Sequence, residues 1–199
     1  MLKRLRRLIG LLFIIFCVYR LYMIHESVQK VESYRDMVVE SLSENDTSAN
    51  VDLVLAMIYT ETKGAALDVM QSSESVTGEA NTITDSKTSI EQGVKLLSRN
   101  IELAQEKSTD VWSAVQAYNF GSGYIDYVAA HGGKHTVDLA RTYSRDVVAP
   151  SLGNTTGESY FYHHPLALIS GGRLYKNGGN IYYAREVYVN LWLIKWLNW

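Results

Sequence analysis

Apolar residues fall into one continuous run near the amino terminus and a series of spaced stripes after it. The run, Leu8-Ile9-Gly10-Leu11-Leu12-Phe13-Ile14-Ile15-Phe16-Cys17-Val18-Tyr19, resumes after Arg20 as Leu21-Tyr22-Met23-Ile24. As a helix, residues 8–24 extend about 26 Å, enough for a thin bilayer with Tyr19, Arg20 and Tyr22 near its outer interface. Lys3, Arg4, Arg6 and Arg7 precede the run. A basic flank stays inside, so the pattern predicts a cytoplasmic segment over 1–7, a transmembrane signal anchor over 8–24 and an extracellular remainder. A cleaved secretory signal has the same charged start, but no Ala-x-Ala-like site follows the run, which favours the anchor.

Over residues 25–48, Val28, Val31, Met37, Val38 and Leu42 mark an imperfect amphipathic helix, either a stalk or the first helix and loop of a domain. Residues 49–199 carry the remaining stripes. Val51, Val54, Leu55 and Ile58 recur at helical spacing between Asn50, a plausible cap, and Gly64, a plausible stop. Residues 65–87 are rich in Ser, Thr, Asn and Asp and predict long loops with one helical turn at most, a length that is commonly functional.

Thr88-Ser89-Ile90-Glu91 has capping-box spacing and leads into Ile90, Val94, Leu97, Ile101 and Ala104 on one face. Thr109-Asp110 opens the next helix, burying Val111, Val115 and Tyr118 before Gly121. A short helix follows over 124–130. Thr136 caps a segment with Leu139, Tyr143 and Val147 on one face, halted before Pro150. Residues 151–180 show no periodicity. A last helix over 182–197 presents Val187, Leu191 and Ile194, with Trp192 and Trp196 expected to pack and Trp199 to be exposed. No alternating pattern is long enough to suggest a sheet, so the domain is expected to be mainly α-helical.

Charge and cysteine content narrow the function. Net charge is −2 and the basic residues cluster only at the amino terminus, where topology explains them, so nucleic-acid binding is not implied. Cys17, the single cysteine, lies in the apolar run, which excludes an intramolecular disulfide and a four-cysteine metal site. His131 and His135 have helical ligand spacing, but the glycines between them disfavour a helix and no glutamate intervenes as in His-Glu-x-x-His. With His163 and His164 they are read as loop residues, and neither metal nor cofactor is expected.

One stripe ends on a charge. Glu61 follows Ile58 by three residues, so the helix aims a carboxylate at the interior from its last turn. Apolar surroundings penalise the ionised form, and a carboxyl that keeps its proton near neutral pH can serve as a general acid.

Downstream stand Asp68-Val69-Met70-Gln71-Ser72-Ser73-Glu74 and Ala117-Tyr118-Asn119-Phe120-Gly121-Ser122-Gly123. With Glu61-Thr62, these resemble the glutamate, Gly-Leu-Met-Gln and Ala-Tyr-Asn-x-Gly-x-Gly motifs of lytic transglycosylases and goose-type lysozymes. Arg141-Thr142-Tyr143 resembles the tyrosine-bearing helix that follows in that superfamily. The likeness covers roughly residues 30–195 and is closest to membrane-anchored lysozyme-like domains of Gram-positive cell-wall enzymes. Asp68 stands where the family has a glycine, which puts the backbone of that turn in question. The gap from Glu61 to Met70-Gln71 is also shorter than in the larger transglycosylases.

The resemblance implies a lysozyme-like helical fold and a cleft for peptidoglycan glycan strands. Glu61 would protonate the oxygen between N-acetylmuramic acid and N-acetylglucosamine. Met70, Gln71, Ser73 and Glu74 would line the floor, and Tyr118, Asn119, Gly121 and Tyr143 would border the sugars, although the two tyrosines could equally be core. A lytic transglycosylase needs one carboxyl and yields 1,6-anhydro ends. A hydrolytic muramidase needs a second, for which Asp68, Glu74 and Asp85 are candidates that position does not separate. A non-catalytic wall-binding protein on the same scaffold is the rival from another class. Nothing in the chain names a wall or secretion partner.

Overall fold

The computed structural model describes residues 2–45, 47, 49–73, 78–79 and 82–198, with the side chain of residue 2 left aside. Glu74 and Trp199, both singled out above, lie outside the described residues. The order is α1 (Leu2–Glu32), α2 (Arg35–Glu44), α3 (Val51–Thr62), α4 (Ser86–Glu106), α5 (Val111–Phe120), α6 (Gly123–Ala130), α7 (Val137–Tyr143), β1 (Ser159–Phe161), α8 (Pro165–Leu168), β2 (Arg173–Tyr175) and α9 (Tyr183–Leu197). The fold is mainly α-helical, as the stripes predict.

α1 is long and apolar enough to cross a membrane, and its first two thirds are exposed. It then continues without a break into the core, where Val28 and Val31 are fully buried against α3 and α9. This part of α1 is therefore the domain's first helix and not a free stalk. α3 is apolar on nearly every side and lies at the centre, packed on α1, α2 and α9. Asn50 Oδ1 accepts from Leu53 N–H at 2.8 Å to start it, and Lys63 and Gly64, both at positive φ, end it.

Several expectations are corrected. α4 begins earlier than predicted, capped by Asp85, whose Oδ1 accepts from Thr88 N–H at 2.8 Å. Val111 lies in the first turn of α5 and is exposed. α7 does not stop before Pro150: it widens into a π-turn over Ser144–Val148 and ends with Ala149–Ser151. That shift in pitch accommodates proline and rotates Val147 to solvent. Residues 151–180 hold a two-stranded antiparallel hairpin, Tyr160 opposite Leu174, with α8 in its loop. Three-residue strands are too short to show alternation.

Trp192 and Trp196 are also exposed, at 50% and 70%, because α9 buries the stripe of Tyr183, Val187 and Ile194 instead.

Candidate active site

α3 delivers Glu61 in its final turn, beside the end of the loop that leads to Met70. The side chain is largely removed from water. Burial, opposed in part by the Tyr183 hydroxyl and reinforced by the charges of Asp68 and Glu186, pushes its pKa from 4.5 up to about 7. Tyr183 comes from the first turn of α9, is 2% exposed, and among the described residues its hydroxyl completes no hydrogen bond. It is close enough to Glu61 to favour the ionised form without completing a bond to it. Its ring stacks on Tyr118, with centroids 6.3 Å apart.

The Tyr-Asn motif residues tie the elements around Glu61 together by hydrogen bonding to backbone. Tyr118 donates to Met70 O at 2.9 Å, tying α5 to the loop after α3. Asn119 Oδ1 accepts from Asn180 N–H at 2.7 Å, and Gln116 grips the same turn, donating to Asn180 O at 2.8 Å and accepting from Ala184 N–H at 3.1 Å. Two residues one turn apart on α5 thus fix the start of α9, and with it Tyr183. Gly121 (φ +85°) ends α5. Tyr143 is buried in a cluster with Phe120, Tyr124 and Tyr127.

Asp68 answers the question posed by its replacement of glycine. It does not take a positive φ; Gln71 does, at +52°, and is exposed, whereas Met70 is fully buried. The Asp68 carboxylate organises the loop, with Oδ1 accepting from Ser72 N–H (2.9 Å) and the Ser89 hydroxyl (2.6 Å), and Oδ2 from Ser73 N–H (3.1 Å) and the Ser73 hydroxyl (2.6 Å). Burial alone would raise its pKa, but those hydroxyl and backbone donors together hold it below the usual carboxylate value. Ser73 in turn accepts from Ile83 N–H at 3.0 Å.

Two of the three carboxylates considered as a second catalytic group have structural roles. Asp68 has its lone pairs filled, Asp85 caps α4 at the surface, and Glu74 lies outside the described residues. Glu186 is a buried carboxyl that the stripe over 182–197 did not single out. It is 5% exposed, one turn beyond Tyr183 on α9, and burial raises its pKa. The rule that singled out Glu61 would have found it, since Glu186 follows Tyr183 by three residues on the stripe that continues to Val187 and Ile194.

Glu186 lines a cavity of about 590 Å3 between α1, α3 and α9 that also receives Thr60, Tyr162, His164 and Asn190. His163 borders the same cavity. The other histidine pair lies apart: His131 follows the end of α6, and His135 Nδ1 meets the Tyr124 hydroxyl at 2.8 Å. Burial lowers the His135 pKa to about 4.

Residues 28–191 match the family described as Lysozyme-like. The chain belongs to the lysozyme-like family. This lysozyme-like chain is 69% identical over 173 residues to the pneumococcal vaccine antigen A homolog of Streptococcus pyogenes serotype M1, covering 87% of each. It is 34% identical over 142 residues to the bifunctional muramidase/DL-endopeptidase CwlT of Bacillus subtilis, covering 71% of this chain and 42% of that protein. Among solved structures, it resembles an NLP/P60-family protein similar to lipoprotein from Staphylococcus aureus, with a TM-score of 0.73, 33% identity, and coverage of 81% of this chain and 52% of the other.

Proposed function

We propose that this chain is a peptidoglycan-cleaving glycosidase acting on the bond between N-acetylmuramic acid and N-acetylglucosamine. Glu61 is its general acid and then its base. The observation that carries the reading is Glu61 itself, desolvated in the last turn of α3 and holding a proton up to about pH 7. Protonated, it gives that proton to the glycosidic oxygen as the bond to the muramoyl carbon breaks. Ionised, it takes the proton of the muramoyl 6-hydroxyl, whose oxygen closes on the same carbon. The product is a 1,6-anhydro end, and no water is consumed.

Lytic transglycosylation is the reading taken, because it needs Glu61 alone; Asp68 and Asp85 are committed to loop and helix capping, and Glu74 stays the candidate second carboxylate for hydrolysis. The hydrolytic reading draws on the relative named a muramidase. Met70 and Gln71 form the floor beside Glu61, with Tyr118 and Asn119 as the adjoining wall and Gly121 and Tyr143 behind it. The anchor helix would hold this site on the extracellular side of the membrane, facing the wall. Mass spectrometry of products from purified peptidoglycan tests the assignment: anhydro ends are expected, lighter by one water than the reducing ends that hydrolysis would leave.

A further inference from the structure

α9 runs beside α1 in the same direction. At its end, Leu197 O accepts from Gln29 Nε2 at 3.2 Å, whereas Glu186, Val189 and Leu193 border one cavity with Arg20 and Ile24. The start of α9 therefore points toward the apolar run of α1. The loop between β1 and β2 lies at that same end of the domain: Tyr162, His163, Pro165 and Leu166 line the cavity with Arg20 and Ile24, and the turn after α8 meets the residues that open α9. Ser170 O accepts from the Tyr182 hydroxyl at 2.9 Å and from Arg141 Nη2 at 2.8 Å, and the Ser170 hydroxyl accepts from Arg185 Nη1 at 2.7 Å. Ala167 is buried beneath the turn, its carbonyl accepting from the N–H groups of Ser170 at 2.9 Å and Gly172 at 2.8 Å. A turn pinned at these points keeps Leu168 and Ile169 out of the core, 58% and 71% exposed. Phe161, 45% exposed, lies over Gly172, where a Cβ would stand 2.8 Å from the ring.

Single exposed apolar side chains are ordinary on a protein surface, but three on one pinned loop, at the end from which a membrane-length helix departs, call for an occupant. We propose that Phe161, Leu168 and Ile169 form a second membrane contact, set into the boundary between headgroups and acyl chains of the leaflet nearest the domain. The occupant is lipid because α1 passes without a break from the core into its apolar run. A bilayer around residues 8–24 meets the domain at Arg20 and Ile24, and those two residues share a cavity with the loop. Arg20 and Lys63 at the cavity bring cations to headgroup level, where anionic lipid attracts them. Phe, Leu and Ile side chains are the apolar half of an interfacial surface. Held by α1 and by the loop, the domain cannot turn freely about its anchor, which fixes the direction that the Glu61 site faces. The contact rests on α1 being a membrane anchor and not on the role of Glu61.

The test uses the full chain, one copy per nanodisc of phosphatidylglycerol and phosphatidylcholine, doped with a lipid that carries a diazirine close to its headgroup. After irradiation, lipid adducts are mapped by mass spectrometry. Adducts are expected on α1 and on residues 161–169, with residues 192–197, equally apolar but at the far end of α9, labelled roughly fivefold less. Leu168→Ser combined with Ile169→Ser should leave the melting temperature within about 2 °C, since both side chains are exposed. The same variant should lower the adducts on residues 161–166 roughly fivefold while those on α1 remain. Adducts on α1 with none on the loop, or loop adducts undiminished in the double variant, overturn the contact and leave the anchor standing. An absence of adducts on α1 overturns the anchor and the contact together. In discs loaded with two copies, a loop that cross-links to the second chain and takes no lipid would give this face to a second copy and also overturn the proposal. Peptidoglycan cleavage is no part of the readout, so failure of Glu61 as the acid would leave the result unchanged.

Discussion

At the scale of single residues, Glu61 is kept at a cost. Its folded-state pKa of about 7 lies above the ordinary 4.5, so stability is lost as pH rises from about 4.5 to 7 and stays lower above that. Discounted for partial exposure, the penalty at pH 8 is about 1–3 kcal/mol. Glu61→Gln is therefore expected to be more stable than wild type at pH 8 and nearly equal at pH 4, as thermal unfolding at the two pH values will show. Gly93 makes a second case. A Cβ there would stand 2.6 Å from Met70 Sδ and 2.8 Å from the Tyr118 hydroxyl. Gly93→Ala, ordinarily favourable inside a helix, should instead push both side chains and reduce cleavage at least tenfold, with a melting shift of a few degrees. The stripe spacing made Glu61 legible in the sequence. Glu186 obeyed the same rule unnoticed, because its partners Asn180 and His164 come from a stretch with no periodicity.

At the scale of elements, the loop between α3 and α4 depends on one carboxylate. Asp68→Ala would remove one carboxylate that accepts from the backbone N–H groups of Ser72 and Ser73 and from the hydroxyl of Ser89. A loss of about 2–4 kcal/mol in urea unfolding is expected, and a change under 0.5 kcal/mol would contradict the anchoring role. Helix caps such as Asn50, Asp110 and Thr136 could be read from the sequence because each is local chemistry. The hairpin of β1 and β2 could not, being held by register and by Asn154, which donates to the carbonyls of Glu158 and Lys176 at 2.8 Å. The exposure of Trp192 followed from which face of α9 meets α3 and α5, a tertiary choice that aromatic content does not reveal. It meets Tyr188 in an edge arrangement, and Tyr188 meets Trp112.

At the scale of the whole molecule, the apolar run and the lysozyme-like domain share one helix. Val28 and Val31 are buried while the large apolar residues from Leu8 to Tyr22 are exposed along that helix. Val31→Ala should therefore destabilise the domain by about 1–3 kcal/mol, where a stalk residue would leave it unchanged. A continuous helix also ties the end of α3 to the apolar part of α1, where Tyr59 and Lys63 share a cavity with Arg20 and Ile24. The apolar run was evident from the sequence, but its continuation into the core was not, since Val28 and Val31 suit a stalk and a first helix equally. What joins these scales is a proton on Glu61, and the most direct measurement is turnover of purified peptidoglycan by wild type and Glu61→Gln across pH. Cleavage by wild type is expected to decline as pH rises past about 7, and a folded Glu61→Gln is expected to be slower by roughly a hundredfold to ten-thousandfold. Undiminished cleavage by that variant would contradict Glu61 as the acid.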